Sequence, residues 1–246
     1  MKREEVIKKL QDDSNYYGKF GKQYLSASDV RALTKRPTEF RVSEKTLPLL
    51  MGGYFHTLML EPEKIKNYPI LDVRTRNNKE FNTYMVENNL EQYDILHQKE
   101  VDQIHKWVDK LNSIFAVHEL VYSPGAQYEV PEIAEIFGEQ WKGKCDILTD
   151  DFVLDLKTSS NIHKFQWSCL EYCYDSQAYI YQTLFERPMR FIVIDKSSLV
   201  IKIADCSEEF IERGRQKVQH AVQQYKKFFT HDAPDNIDDY IYKEIL

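Results

Sequence analysis

The stretch Lys142-Gly-Lys-Cys-Asp146-Ile-Leu-Thr-Asp-Asp-Phe-Val-Leu-Asp155-Leu-Lys157 reads as two strands joined by a tight turn. With Asp150 and Asp151 as the two loop residues, Thr149 faces Phe152, Ile147 faces Leu154 and Cys145 faces Leu156. Those six side chains share one largely apolar face. The opposite face receives Leu148 with Val153, Asp146 with Asp155, and Lys144 with Lys157. A slip of one residue would invert every side chain, so the apolar alternation selects this register.

The register has a chemical consequence. Aspartates facing each other across a strand pair have Cβ atoms about 5 Å apart, and like charges there repel. A divalent cation removes the repulsion, and hard carboxylate oxygens favour Mg²⁺, with Mn²⁺ as a substitute. Lys157 lies two residues beyond Asp155 and points to the same face. A cation beside an ammonium group suits phosphodiester hydrolysis, in which charge develops on phosphate oxygens and a water must be oriented.

Working outward, the strand period begins at Gln127, giving a meander of Gln127–Phe137, Gln140–Leu148 and Phe152–Lys157 with turns at Gly138-Glu139 and Asp150-Asp151. Met189–Asp195 and Leu199–Ala204 predict two further strands. Helical spacing predicts helices over residues 1–12, Asp29–Thr34, Thr46–Leu60, Lys79–Asn88, Gln98–His118, Lys164–Phe185 and Glu208–Phe229. In Gln98–His118 the stripe is Val101, Ile104, Val108, Leu111 and Phe115. Ser26 or Ser28 is a candidate N-cap. Gly52-Gly53 costs about 1 kcal/mol per glycine in a helix interior, which points to close approach of another element or a ligand. Strands in the middle with helices around them predict an α/β fold with a central mixed β-sheet flanked by helices. No repeat or long linker divides the 246 residues. They read as one domain, 1–246, with an N-terminal helical segment over 1–45, a catalytic sheet and helix over 127–204, and an acidic tail over 230–246.

Composition narrows the classes. No apolar run approaches the roughly 20 residues of a membrane span, and the charged N-terminus MKREEVIKKL is no signal peptide, so a cytoplasmic location is expected. Cys145, Cys169, Cys173 and Cys206 are too few and scattered for a disulfide framework. Cys169 and Cys173 stand one helical turn apart, but as small core residues rather than as metal ligands. The net charge of −6 is unfavourable for a polyanion binder, yet it is unevenly spread. His231–Asp239 holds four aspartates, whereas Arg213–Lys227 holds five Lys or Arg. Arg74, Arg76, Lys142, Lys144 and Lys164 are candidates to line the path of a polyanionic ligand, and Trp107, Trp141 and Trp167 read as core or edge residues rather than as stacking platforms for bases.

At Asp146 and Asp155-Leu156-Lys157, continued by Thr158-Ser159, the chain resembles the PD-(D/E)XK nuclease superfamily. It is most similar to the RecE-type, phage-associated exonuclease branch, related more distantly to lambda exonuclease and the RecB nucleases. Three further segments carry the likeness in the family's order: Leu25-Ser-Ala-Ser-Asp-Val before Pro37, Met51-Gly-Gly-Tyr-Phe-His56, and Gln177-Ala-Tyr-Ile-Tyr181. The likeness runs from about residue 24 to residue 204. Asp155 stands where many members have Glu.

The resemblance implies a restriction-endonuclease-like core and a set of roles. His56, Asp146, Asp155 and the backbone carbonyl of Leu156 would hold Mg²⁺, and Lys157 would position or activate the attacking water. Gln177 would hydrogen-bond near the water or Lys157, and Tyr181 would reach a DNA phosphate. Glu129 and Glu132 compete for an upstream acidic position; pairing Pro131 with Asp146 and Glu129 with Leu148 favours Glu129 as a further ligand. The implied activity is exonuclease digestion of linear double-stranded DNA ends, 5′ to 3′, for phage-type recombination. A structure-specific or restriction-like endonuclease and an inactive binding module are the alternatives. Implied partners are a single-strand annealing or recombinase protein and further copies in a ring, with no membrane, in a bacterial host carrying the phage or prophage gene.

Overall fold

The computed structural model describes residues 1–42 and 44–242. The helices are α1 (Arg3–Leu10), α2 (Asp13–Tyr17), α3 (Ala27–Lys35), α4 (Leu47–Leu60), α5 (Lys79–Glu87), α6 (Gln98–Asn112), α7 (Phe115–Val121), α8 (Phe165–Glu171), α9 (Tyr174–Phe185) and α10 (Glu208–Phe228). The strands are β1 (Ile70–Leu71), β2 (Leu96–His97), β3 (Gln127–Ile136), β4 (Glu139–Leu148), β5 (Val153–Ser159), β6 (Met189–Asp195) and β7 (Ile201–Asp205). β3 to β7 form one five-stranded sheet in sequence order, and β1 and β2 a small parallel pair that sequence spacing does not reveal.

The sheet is mixed, as expected. β5 and β6 run parallel and the other neighbours antiparallel. A parallel pair needs a long crossover, and α8 and α9 supply it. One face of the sheet packs on α3, α9 and α10, burying Trp141, Cys145, Val153, Phe191 and Val193. The other packs on α4, α6 and α7, burying Ile147, Leu154, Leu156, Ile192 and Ile194. No helix among the described residues is long and apolar enough to cross a membrane.

Helix caps follow the local sequence. Ser26 starts α3 with a capping box to Asp29, and the Thr46 hydroxyl accepts from Leu49 N–H at the start of α4. In α4, a Cβ at position 53 would sit 3.3 Å from the Tyr68 hydroxyl, while nothing lies within 4 Å of one at position 52. Close packing therefore accounts for Gly53 alone.

Four expectations are corrected. Lys164–Phe185 is two helices, because Cys173 at φ 56° breaks the chain direction between α8 and α9. Gln98–His118 ends as a helix at Asn112 and restarts at Phe115, whose side chain is exposed rather than part of the stripe. The β3–β4 turn is Phe137-Gly138, both with positive φ (54° and 79°), the geometry of a type I′ turn. That moves the register by two residues, so Pro131 pairs with Lys144 and Gln127 with Leu148. A shift of two keeps each side chain on its face. The last correction is Cys145, which packs on the α9 side while Ile147 packs on the α4–α6 side. Across the ladder Tyr128 and Val130 part in the same way. Both strands change face at the Glu129/Asp146 position, where Glu129 adopts a left-handed φ of 50°. Of the acidic tail, residues 243–246 lie outside the described residues; before them Lys227 pairs with Asp235 at 3.2 Å.

Candidate active site

Strand β5 alternates cleanly. Leu154 and Leu156 enter the α4–α6 core, while Val153 enters the α9 side together with Asp155, which α9 contacts. Asp155 is 2% exposed. A buried carboxylate is costly without partners, and two are present: Gln177 Nε2 donates to Oδ1 at 2.6 Å, and Lys157 Nζ lies 2.6 Å from Oδ2. Burial holds the Asp155 carboxyl above its ordinary range, and the Lys157 charge only partly offsets this. Burial also works against the Lys157 ammonium, but Asp155, Tyr174 and Asp146 outweigh it and raise its pKa. Lys157 thus stays protonated. Its Nζ stands 4.9 Å from the centre of the Tyr174 ring.

The β4–β5 ladder ends one step before the expected aspartate pair. Ile147 pairs with Leu154 and Leu148 with Val153, and beyond them the strands separate. Asp146 fills the gap: its Oδ2 accepts Leu156 N–H at 2.6 Å, and its Oδ1 lies 3.2 Å from His56 Nδ1 on α4. In a strand the N–H and C=O of one residue point to the same side, so the Leu156 carbonyl also faces this gap. Burial opposes the Asp146 charge, but His56, Lys157 and the Leu156 N–H prevail and lower its pKa. His56 is raised, since Asp146 outweighs the effect of burial.

Glu129, on β3 between the residues facing Ile147 and Cys145, completes the cluster. Burial and the nearby Asp146 charge push its carboxyl up to about 8. Ligand atoms of His56, Glu129 and Asp146 all lie within 4.8 Å of one another. Asp155 stands outside that trio. Glu132, the rival acid, instead pairs with Arg3 at 2.9 Å. A cavity of about 260 Å³ adjoins Glu129, lined also by Glu61, Lys64 and Lys144.

The donor set fits a hard divalent cation. One imidazole and two carboxylates converge, and burial together with the nearby Asp146 charge drives one carboxyl toward its neutral form.

Several expected contributors lie elsewhere. Tyr181 is buried and its hydroxyl donates to the Lys144 carbonyl at 2.9 Å, so it anchors β4 and has no free hydroxyl for a DNA phosphate. Gly143 permits this contact, since a Cβ there would lie 2.5 Å from Leu184 Cδ1 and 2.9 Å from Tyr181 Cε1. Gln177, one turn earlier on α9, is thereby set against Asp155. Lys144 does not pair with Lys157. It is buried against Asp13 at 2.5 Å, and Lys142 donates to the Tyr16 carbonyl. Arg76 is bound to Glu100 at 2.7 Å. Of the five basic DNA-path candidates, Arg74 and Lys164 remain exposed. Trp107 and Trp141 are core residues, but Trp167 is 61% exposed. Tyr174 was not singled out from the sequence; its signal is the i−3 spacing to Gln177 on one helix face.

The family model described as "PDDEXK-like domain of unknown function (DUF3799)" matches residues 17–239. The chain belongs to that family. Membership places this PDDEXK-like chain in the superfamily that Asp146 and Asp155-Leu156-Lys157 resemble. A candidate exonuclease from Eubacterium rectale shares its fold, with TM-score 0.65 and 16% identity over 96% of this chain and 95% of that one. An alkaline exonuclease from Laribacter hongkongensis aligns at TM-score 0.38 and 10% identity, covering 91% and 92% of the two chains. A phage-related exonuclease from Haemophilus somnus aligns at 0.35 and 13%, covering 83% and 94%. No curated protein matches the chain.

Proposed function

We propose that this PDDEXK-like chain is a Mg²⁺-dependent deoxyribonuclease that digests linear double-stranded DNA from its ends, 5′ to 3′. The observation that carries the reading is the convergence of His56, Glu129 and Asp146 within 4.8 Å, beside the buried Asp155–Lys157 pair. His56, Glu129 and Asp146 would hold the cation, with Asp155 and the Leu156 carbonyl at its border. When bound, the cation would polarise the scissile phosphate and lower the pKa of a water. The chain's own residues do the rest. Glu129 and His56 would each give up a proton on ligation. Lys157, protonated and tethered to Asp155, donates to the water or to the phosphate oxygen on which charge develops. Gln177 fixes Asp155, so the ammonium is held in one place. The exonuclease description of the Eubacterium rectale protein, which shares this fold, supports the end-directed reading. By resemblance, the setting is phage-type recombination in a bacterial cytoplasm, with a single-strand annealing protein as partner and a ring of copies around DNA.

The test is digestion of linear duplex DNA against a covalently closed circle, with Mg²⁺, with Mn²⁺ and with chelator. Release of nucleotides from linear DNA alone, abolished by chelator, is the expected result. Nicking of the circle would make the enzyme an endonuclease. No release from linear DNA with either metal would overturn the nuclease reading. End-labelled strands then report the polarity.

A further inference from the structure

Helix α8 directly follows the turn after β5, and it exposes large apolar side chains that the fold does not use. Trp167 is 61% exposed, Leu170 on the same helical side 37%, and Tyr172 just past the helix 53%. The charges around them are mainly cationic. Lys164 is exposed on the preceding turn, and Arg31 and Lys35 from α3 both pair with the Glu171 carboxylate, Lys35 Nζ at 3.0 Å. In a chain of net charge −6, three cations against one carboxylate is a local reversal of sign.

This patch is linked to the active site by a column of rings and cations. Lys157 Nζ stands 4.9 Å from the Tyr174 ring centre. Tyr174 and Tyr172 have ring centres 5.8 Å apart at 30°, a stacked pair. The Arg31 guanidinium lies 5.4 Å from the Tyr172 ring on the surface. The patch therefore begins two aromatic rings from the ammonium of the cleavage site.

Exposed rings interleaved with cations match one ligand chemistry best. Unpaired nucleobases offer π-faces and carry a phosphate on every residue, whereas a duplex hides its faces except at an end. We infer that Trp167 and Tyr172 form a stacking platform for the bases of a single DNA strand frayed from the duplex end, with Arg31, Lys35 and Lys164 on its phosphates. The inference rests on the proposed DNA-cleaving role, since the platform guides that strand toward Lys157.

The probe is an oligothymidylate of about 16 nucleotides, bound to the full chain in chelator so that it is not cut. Affinity is read from the anisotropy of a fluorescently labelled oligonucleotide, and in the wild type quenching of tryptophan emission reports Trp167, because Trp107 and Trp141 are buried. Trp167→Ala and Tyr172→Ala should each weaken binding by about 5- to 100-fold, and Trp167→Phe should stay within about threefold of wild type because a ring remains. Trp167 is exposed, so the Trp167 variants should keep the circular dichroism and melting temperature of the wild type. Wild-type affinity in both alanine variants would overturn the platform, as would a wild-type protein that digests linear DNA yet does not bind the oligonucleotide. A protein that binds the oligonucleotide through Trp167 but releases no nucleotides with Mg²⁺ would overturn the cleavage reading and leave the platform standing.

Discussion

The Leu156 amide donates to Asp146 Oδ2 at 2.6 Å, and this bond stands where the β4–β5 backbone ladder would have continued. A side chain has replaced a main-chain carbonyl as the acceptor. The exchange opens a gap between two central strands without leaving the amide unsatisfied, and the gap is where His56 meets Asp146.

Substitution at Asp146 should separate charge from structure. Asp146→Asn keeps an oxygen for the Leu156 amide but removes the carboxylate. DNA cleavage should fall by about 10²- to 10³-fold with little change in unfolding. Asp146→Ala also leaves a buried N–H unpaired, which costs about 1–3 kcal/mol and should show in urea titration. An Asn variant with more than a tenth of wild-type activity would exclude Asp146 from the chemistry.

Lys157→Ala should lower turnover by a similar factor while DNA binding, measured in chelator, stays near wild type. Removing the ammonium also leaves Asp155 buried with Gln177 alone. Its carboxyl, already raised by burial, should rise further. A folded pKa above the unfolded value confers stability that is full at acid pH and lost as pH rises. The variant's deficit in stability should therefore grow from acid to neutral pH, and a deficit flat across that range would refute the pairing.

Glu129 gives a second pH test, in metal-free protein. Its carboxyl sits at about 8, against 4.5 for an ordinary glutamate. The folded state holds a proton that the unfolded state has released, so the Glu129 contribution is full below about pH 4.5 and is lost as pH rises through about 8. Glu129→Gln should melt near the wild-type temperature at pH 5 and several degrees above it at pH 9. Saturating Mn²⁺ should reverse the order at pH 9, because ligation stabilises only the carboxylate. Equal melting curves at both pH values would remove Glu129 from the cluster.

Tyr181 and Gln177 share a helix face but should behave differently. Tyr181→Phe loses one buried hydrogen bond, to the Lys144 carbonyl, costing about 1 kcal/mol of stability with activity nearly unchanged. Gln177→Ala frees Asp155 and should reduce turnover about 10- to 100-fold, as for other groups that orient a reacting carboxylate. A Phe variant with hundredfold lower activity would return Tyr181 to the chemistry.

The sequence by itself determined the sheet, because alternation with period two leaves Ile147, Leu154 and Leu156 only one face to bury. It also determined the nearness of Asp155 to Lys157, two residues apart on one strand. Tertiary structure decided the rest. Whether β4 would stay on β5 up to Asp146 depends on a side chain competing with a carbonyl for the Leu156 amide, which alternation does not encode. The face change at Glu129 depends on a left-handed residue that is not glycine, so no turn residue marks it. Tyr181 and Gln177 look equivalent by spacing, and only the close approach of α9 over Gly143 buries one hydroxyl while setting the other side chain on Asp155. The basic residues Lys142, Lys144 and Arg76 carry charge that a count assigns to the surface. Packing of α2 and α6 places partners beside them, since a buried cation is tolerated only when paired.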